Sequence, residues 1–182
     1  MEAWPDGRDA ATESTVLVAR WKRFRSGPND TLVVSLAEEE LGLLRSLPEQ
    51  LRDVLEGAED DPARVRLFPR AYLDPTAESE EAEWQELVHP ELLRERLDAL
   101  ELITGTLGRA TAQGDWWEIA LTPDEVQAWL GVLNDTRLVL GSRLGVTEDD
   151  DRIHADPTQA GAIHVYDWLT ALQSDLVDQL LH

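Results

Sequence analysis

The chain has 182 residues, of which 42% are apolar, so it is long enough to bury a substantial core as one domain. Its 37 Asp and Glu residues outnumber its 16 Lys and Arg residues and give a net charge of −21, which disfavours direct binding to nucleic-acid phosphates. There is no cysteine, which excludes disulfides, thiolate metal sites and a cysteine nucleophile. Apolar runs reach only about six residues, far short of a membrane helix, so we expect a cytoplasmic protein without membrane contact.

The leucine-rich and aromatic-poor composition favours a mostly α fold. Residues 1–14 lack apolar periodicity, and we predict a flexible N-terminal arm there, followed by a single mainly helical domain over 15–182. The pattern along that domain predicts about five helices and a small antiparallel β-hairpin or sheet near its N-terminus.

Apolar runs at 15–24 and 31–34 flank the turn-forming residues 26–30, which predicts the β-hairpin. Ser35 and Glu38 match a capping box, and leucines then follow at helical spacing. The first predicted helix therefore begins directly after the second strand.

The middle of the chain mixes helical and irregular signals. Segment 67–72 contains bulky residues around a proline and is predicted to pack without regular structure. Helices are predicted over 76–88 and, with Pro90 in the first turn, over about 90–108. The run 116–121 predicts a short strand that joins the N-terminal hairpin.

The start of the fourth predicted helix is the clearest boundary in the chain. Thr122 is a favourable N-cap, Pro123 suits the first turn, and Glu125 lies where a capping box requires an acid. Gly145 is placed to end this helix. A final helix, with leucines every three or four residues, is predicted from about 160 to the C-terminus.

Standard catalytic and cofactor motifs do not occur in the sequence. It contains no glycine loop for a dinucleotide or a phosphate, no His-Glu-x-x-His zinc motif and no nucleophile elbow. His89 adjoins a predicted helix junction and His182 is the last residue, which are poor positions for acid–base catalysis. We therefore predict no catalytic residue and no cofactor, and we favour a non-enzymatic function.

Two charged segments leave alternatives open. Residues 148–156 are rich in carboxylates and include His154, but they lack the glycine and the final glutamate of a calcium loop. We favour a solvated acidic loop over a cation site there. Residues 20–25 interleave four basic residues with two aromatics, which favours an edge strand protected by charge, with a patch for phosphate or an acidic partner as the alternative.

A polar cluster interrupts the apolar face of the fourth predicted helix. Arg137 falls between Leu133 and Leu140 on the leucine stripe, where a cation requires a partner. The favoured interpretation is a buried pair with Asp135 or Asp167 that fixes how the last two helices dock. The alternative is a polar pocket for a ligand or a peptide terminus.

Four segments of the chain carry recognisable motifs. They are Leu-Phe-Pro-Arg-Ala-Tyr at 67–72, the helix start and Ala-Trp-Leu within 121–130, the run from Leu133 containing Asn-Asp-Thr-Arg, and Tyr-Asp-Trp-Leu at 166–169. Together these segments resemble an actinobacterial family of unknown function. Members of that family are commonly encoded beside the ClpS adaptor of the Clp protease, and some are labelled transcriptional regulators. The candidate binding residues in these segments, each of which has a structural role as its alternative, are Arg70, Tyr72, Trp129, Asn134, Asp135, Arg137, Tyr166, Asp167 and Trp168.

The leading functional hypothesis is a non-enzymatic protein-interaction or regulatory module, with ClpS or Clp protease components as the partners that the resemblance implies. A transcriptional regulator that acts through protein contacts or through the basic strand at 20–25 is one alternative. An enzyme that uses Asn134, Asp135, Arg137 and Asp167 in a pocket around Arg137 is another. A homodimer through a leftover apolar stripe of the last helix is also open.

Overall fold

The computed structural model describes residues 19–26, 29–146 and 159–181. The arm predicted over 1–14, the acidic segment 148–156 and His182 lie outside these described residues.

A four-stranded antiparallel sheet forms one side of the fold. Its strands are β1 (Arg20–Ser26), β2 (Asn29–Leu36), β3 (Thr111–Gln113) and β4 (Trp116–Leu121), in the order β1-β2-β4-β3. The predicted hairpin is β1 with β2, and β4 pairs with β2 as predicted. The basic run lies on an edge strand, as its charge pattern indicates.

β3 was not predicted from the sequence. Its three residues are all exposed, so it shows no apolar alternation, and it pairs only with β4 across a turn in which Gly114 adopts a φ of 64°. Glycine takes this left-handed conformation without the steric cost that a Cβ brings.

Five helices in the described part of the chain complete the mostly α fold, as the composition predicted. They are α1 (Glu38–Leu55), α2 (Pro62–Leu67), α3 (Glu78–Gly108), α4 (Pro123–Leu144) and α5 (Ala160–Leu181). The helix count agrees with the prediction, but two of the five helices differ from it.

α3 runs through Pro90, where the sequence predicted two helices. A proline inside a helix removes one backbone hydrogen bond, but this loss does not end α3. α2 was not predicted, because six residues are too few to show a helical period. Its start is nevertheless a regular cap, in which Asp61 Oδ1 accepts a hydrogen bond from the backbone N–H of Ala63 at 2.9 Å.

The start of α1 was also predicted two residues too early. Ser35 remains in β2, and its hydroxyl donates to Glu118 Oε1 at 3.4 Å. The helix begins after Ala37, whose backbone N–H donates to Glu40 Oε2 at 2.7 Å. α4 begins and ends as predicted, with reciprocal bonds between Thr122 and Glu125 and with Gly145 at a φ of 69°.

The core lies between the inner face of the sheet and the helices. Alternate residues of β2 and β4 point into it and are almost fully buried. The buried face of α4 carries Trp129, Val132, Leu133 and Thr136, whereas Leu140 near its end is only half-buried. The buried face of α4 is therefore centred closer to the start of the helix than the predicted stripe.

Arginine side chains from distant elements bind the last carbonyl groups of three helices. Arg64 Nε donates to Leu55 O of α1 at 3.0 Å, and Arg45 Nη2 donates to Leu107 O of α3 at 3.2 Å. Arg96 Nη2 donates to Leu67 O of α2 at 3.0 Å. These bonds satisfy carbonyls that have no partner within their own helix, and they place positive charge at the negative ends of the helix dipoles.

Candidate functional site

The segment between α2 and α3, residues 68–77, is fastened by a carboxylate. Oε2 of Glu81 accepts hydrogen bonds from the backbone N–H groups of Ala71 at 3.0 Å and Tyr72 at 2.8 Å. Its Oε1 accepts a hydrogen bond from Gln85 Nε2 at 2.7 Å. The bond from Gln85, followed by those from the backbone, favours the ionised form and lowers the pKa of Glu81 below its ordinary value. We call residues 68–77 the anchored loop.

The anchored loop presents apolar side chains to solvent. Leu73 is 85% exposed and Tyr72 is 43% exposed. Arg70, a candidate from the sequence, forms an exposed ion pair with Glu78 in which Nη2 and Oε1 lie 3.0 Å apart. The loop backbone is therefore hydrogen-bonded to α3 while its bulky side chains remain accessible.

Arg137 crosses from α4 to α5. Its Nε donates to Thr170 Oγ1 at 2.9 Å, and its Nη1 donates to Gln173 Oε1 at 2.5 Å. The guanidinium carbon lies 5.6 Å from the ring centroid of Tyr166, within the range of a cation–π contact. These partners are neutral, and Asp135, one of the two carboxylates expected from the sequence, pairs elsewhere.

Arg137 and Tyr166 also line an open cleft of about 280 Å³ between α4 and α5, which we call the α4–α5 cleft. Arg66 of α2 closes one side of it, and the C-terminal turn of α4 forms the floor. Its remaining lining residues are Leu138, Gly141, Ser142, Gly145 and Val146. The cleft thus combines two cations, two hydroxyl groups and apolar walls.

Asp135 is buried, at 8% exposure, and faces α3 instead of α5. Its Oδ2 lies 3.1 Å from Arg96 Nε, an ionic contact without hydrogen-bond alignment. Burial raises the pKa of Asp135, and the attraction of Arg96 and a hydrogen bond with Asn134 offset that rise only in part. Arg96 also donates through Nη2 to Leu67 O at 3.0 Å and lies 4.9 Å from the ring centroid of Phe68.

The two candidate tryptophans point into the interior. Trp129 is fully buried, and its indole N–H donates to Thr106 Oγ1 at 2.8 Å, which joins α4 to α3. Trp168 donates to Oε1 of the buried Glu40 at 3.1 Å, which joins α5 to α1. Asp167, beside Trp168, is exposed.

His89 packs its ring against Phe68, with the ring centroids 4.2 Å apart. Burial lowers the pKa of His89, and the positive charges of Arg64 and Arg96 lower it further. Its Nε2 is buried without a hydrogen-bond partner. The imidazole is therefore kept neutral within a cationic and aromatic cluster.

An apolar groove of about 210 Å³ lies between α1, α4 and α5. Leu43, Leu47, Leu51, Val139, Leu140 and Val165 form most of its lining.

No three His, Asp or Glu side chains converge to form a possible metal site within the described ranges 19–26, 29–146 and 159–181. The acidic segment 148–156, where a cation was the alternative, lies outside them. Within the same ranges, no helix is both long and apolar enough to cross a membrane.

Sequence reasoning missed several residues that build these arrangements. Glu81 is one of them, because no local pattern identifies the two backbone N–H groups from which it accepts hydrogen bonds. Arg66, Leu73 and Arg96 had no signal of their own, because their partners or neighbours lie on other elements.

Comparison of this chain with known protein families tests the family resemblance that the four sequence segments indicated. The sequence signature of a domain of unknown function, DUF2017, matches residues 19–180. The chain belongs to the DUF2017 family. Among the described residues, this match spans every helix and strand except for the last residue of α5, and it confirms the family resemblance.

Mycobacterial relatives of this DUF2017 chain are named as regulators. The oxidative stress regulators AosR of Mycobacterium tuberculosis and Mycobacterium bovis are each 28% identical to it over 196 aligned positions, which cover 88% of this chain and 87% of the relative. A Mycobacterium leprae relative is 27% identical over 198 positions, which cover 90% of this chain and 89% of the relative. No solved structure matches the chain.

Proposed function

We propose that this DUF2017 protein is a non-enzymatic cytoplasmic regulator that acts by binding a partner protein through the anchored loop. The observation that carries the proposal is the exposure of Tyr72 and Leu73 on a backbone that Glu81 fixes. Apolar side chains on an ordered backbone gain free energy when a partner buries them and lose little conformational entropy on binding. Tyrosine is also among the residues that contribute most to protein interfaces.

The titratable groups favour binding over catalysis. Groups with shifted pKa values indicate an active site when they line a cavity. Asp135 and His89 have shifted pKa values, but neither lines the α4–α5 cleft or the apolar groove. Both lie near Arg96, which joins elements of the fold. Their shifts therefore follow from core packing.

The names of the mycobacterial relatives support a role in the response to oxidative stress. Cysteine and methionine are the side chains that cells oxidise reversibly, and these 182 residues contain no Cys and one Met, Met1. The proposal therefore places the oxidant-sensing step in a partner, and this chain transmits or modulates the response through contact.

ClpS and Clp protease components are candidate partners because the resemblance implies them. A transcriptional regulator remains the second candidate, supported by the names of the relatives, and it would use protein contacts or the edge strand Arg20–Ser26. A homodimer remains a prediction, for which the exposure of Leu180 and Leu181 at the end of α5 is the motive.

The test is complementation in the native host after deletion of the gene. The wild-type chain should restore the peroxide-induced change in transcript levels, and the double variant Tyr72→Ser/Leu73→Ser should not, although its melting temperature is unchanged. Leu102→Ser is the matched control, because it replaces an exposed leucine of α3 far from the loop in sequence and should complement fully. Full complementation by the double variant would show that the anchored loop is not the binding surface.

A second experiment tests the partner. A photo-crosslinking amino acid at position 73 is irradiated in a mixture with purified ClpS, and separately in host cells before and after peroxide treatment. A specific adduct that disappears with Tyr72→Ser would identify the partner. If ClpS gives no adduct while another protein does, the link to regulated proteolysis is wrong.

A further inference from the structure

The α4–α5 cleft brings together two arginines that have no carboxylate partner among the described residues. Arg66 forms no hydrogen bond or ion pair within the described ranges, and the partners of Arg137 there are Thr170, Gln173 and the ring of Tyr166, all neutral. In a chain with a net charge of −21, a half-buried guanidinium without a counter-ion is unusual. An anionic ligand would supply the missing negative charge.

The cleft lies at the C-terminus of α4, where free carbonyl groups would repel an anion. This repulsion is weakened here because carbonyl groups of the last turn accept hydrogen bonds. Helix C-termini carry partial negative charge on carbonyls that lack partners. Here the carbonyl of Gly141 accepts from the N–H of Val146 at 2.9 Å, and the carbonyl of Ser142 accepts from the N–H of Gly145 at 3.3 Å. Arg66 and Arg137 are therefore the charged side chains among the described residues that line the cleft.

Arg137 is also preorganised for an oxyanion. Its bonds to α5 use Nε and Nη1, so Nη2 carries no hydrogen bond to the described part of the chain. A guanidinium fixed in this way loses little side-chain entropy when it binds a carboxylate. Arg66, an exposed residue of α2, is the second cation that lines the cleft.

The dimensions and walls of the cleft narrow the ligand class. At about 280 Å³ it is at the lower limit of sites for drug-sized molecules and suits a single residue. Leu138, Val146 and the ring of Tyr166 offer apolar surface beside the cations. A C-terminal residue presents a carboxylate and a separate side chain together, whereas Asp and Glu present only a carboxylate on an apolar stem.

We propose that the α4–α5 cleft binds the free C-terminus of a partner polypeptide that ends in an apolar residue, with Arg66 and Arg137 on the carboxylate. This assignment rests on the proposed protein-binding function and adds a second contact to the anchored loop. The recognition of peptide termini by a few fixed donors is a recurrent binding mode.

Gly141 provides a way to block the cleft without removing a charge. A Cβ at this position would lie 3.5 Å from Tyr166 Cε2 and 3.9 Å from the Val146 side chain, so a larger side chain would enter the cleft. Gly131, one of the exposed positions of the same helix, has no atom within 4 Å of a built Cβ. Gly141→Leu and Gly131→Leu are therefore a matched pair of variants.

The experiment is an NMR titration of the full chain with the peptide acetyl-Ala-Leu, which has a free carboxylate, and with its C-terminal amide. The free acid should shift the amide signals of Gly141, Gly145 and Val146 in a saturable way at millimolar concentration, and the amide should bind more weakly by about tenfold or more. Arg66→Gln and Gly141→Leu should each abolish the saturable shifts, whereas Gly131→Leu should not change them. Arg66 is exposed, so its substitution leaves the fold intact.

Each of three results would overturn the proposal: equal binding of the amide, no shift of these signals with the free acid, or unchanged affinity in Arg66→Gln. If acetate binds as tightly as the peptide, the cleft takes small carboxylates and the assignment to a polypeptide terminus is wrong. Failure of the peptide titration leaves the complementation test of Tyr72 and Leu73 unaffected, so the two proposals are judged separately.

Discussion

Arg96→Met tests the energetic role of a single guanidinium that joins three elements. From α3, Arg96 pairs with Asp135 of α4 at 3.1 Å, donates to Leu67 O at the end of α2 at 3.0 Å, and lies over the Phe68 ring. Methionine keeps an apolar side chain of similar length but removes the charge and every donor. The variant therefore isolates the polar contribution of Arg96.

The expected loss has two parts. Removal of one partner from a buried ion pair costs about 3–5 kcal/mol, because the other charge stays buried alone. A lost hydrogen bond to a helix carbonyl adds about 1 kcal/mol. The side chain of Arg96 is 24% exposed, so water partly compensates, and we expect a total of about 3–4 kcal/mol at neutral pH.

The loss should also depend on pH. Burial already raises the pKa of Asp135 in the folded state, and removal of Arg96 takes away the charge that opposes this rise. A carboxyl group with a raised folded pKa destabilises the fold only when ionised. The penalty is therefore absent below the unfolded value of about 3.8 and grows as pH rises through the folded pKa, by up to ~1.4 kcal/mol per pH unit.

Urea unfolding at pH 7 and pH 4 measures both effects. The double variant Arg96→Met/Asp135→Leu should recover at least half of the loss at pH 7, because no charge is left buried. Arg94→Met, on the exposed side of α3, is the control and should change the free energy of unfolding by about 0.5 kcal/mol or less. An equal loss at both pH values, or strict additivity in the double variant, would refute this explanation.

Other contacts give smaller or pH-dependent effects. Arg137→Ala should lower the free energy of unfolding by only about 1–2 kcal/mol in urea, because its partners are neutral and half-buried, and a loss as large as that of a buried ion pair would contradict this. Since the folded pKa of His89 lies below 6.5, the wild-type melting temperature should fall as pH drops below 6.5, and His89→Phe should show a weaker fall over the same range. Glu81→Ala should lower the protection of the Ala71 and Tyr72 amides from hydrogen exchange, relative to the intrinsic exchange rate at the same pH. Acid should also lower this protection in the wild type as pH falls below 4.5 through the lowered pKa of Glu81. Exchange at these two amides that is unaffected by the substitution would show that Glu81 does not anchor the loop.

The features of the fold that depend on residues close together in the sequence were predictable. The boundaries of α4 follow from the capping box of Thr122 and Glu125 and from the glycine that ends the helix. The strand Trp116–Leu121 and the family resemblance also come from contiguous residues. The short elements α2 and β3 could not be predicted, because their residues show neither a helical nor a strand periodicity of apolar side chains.

The polar cluster on α4 shows why the candidate sites were harder to predict. Helical spacing placed Asp135 and Arg137 near each other, but positions two apart on a helix face different sides. Each side chain therefore contacts a different helix. Asp135 is buried and pairs with Arg96 of α3, whereas Arg137 donates a hydrogen bond to α5 and lines a cleft.

The mostly helical class, the clearest helix boundaries, the family and the lack of thiol chemistry are all predictable from the amino-acid sequence, because each depends on composition or on a short-range pattern. The tertiary structure decided which charges are buried, which carboxylate anchors the 68–77 loop and which arginines share a cleft. Those outcomes depend on partners as far apart in sequence as Arg66 and Tyr166, and no local pattern encodes such a distance.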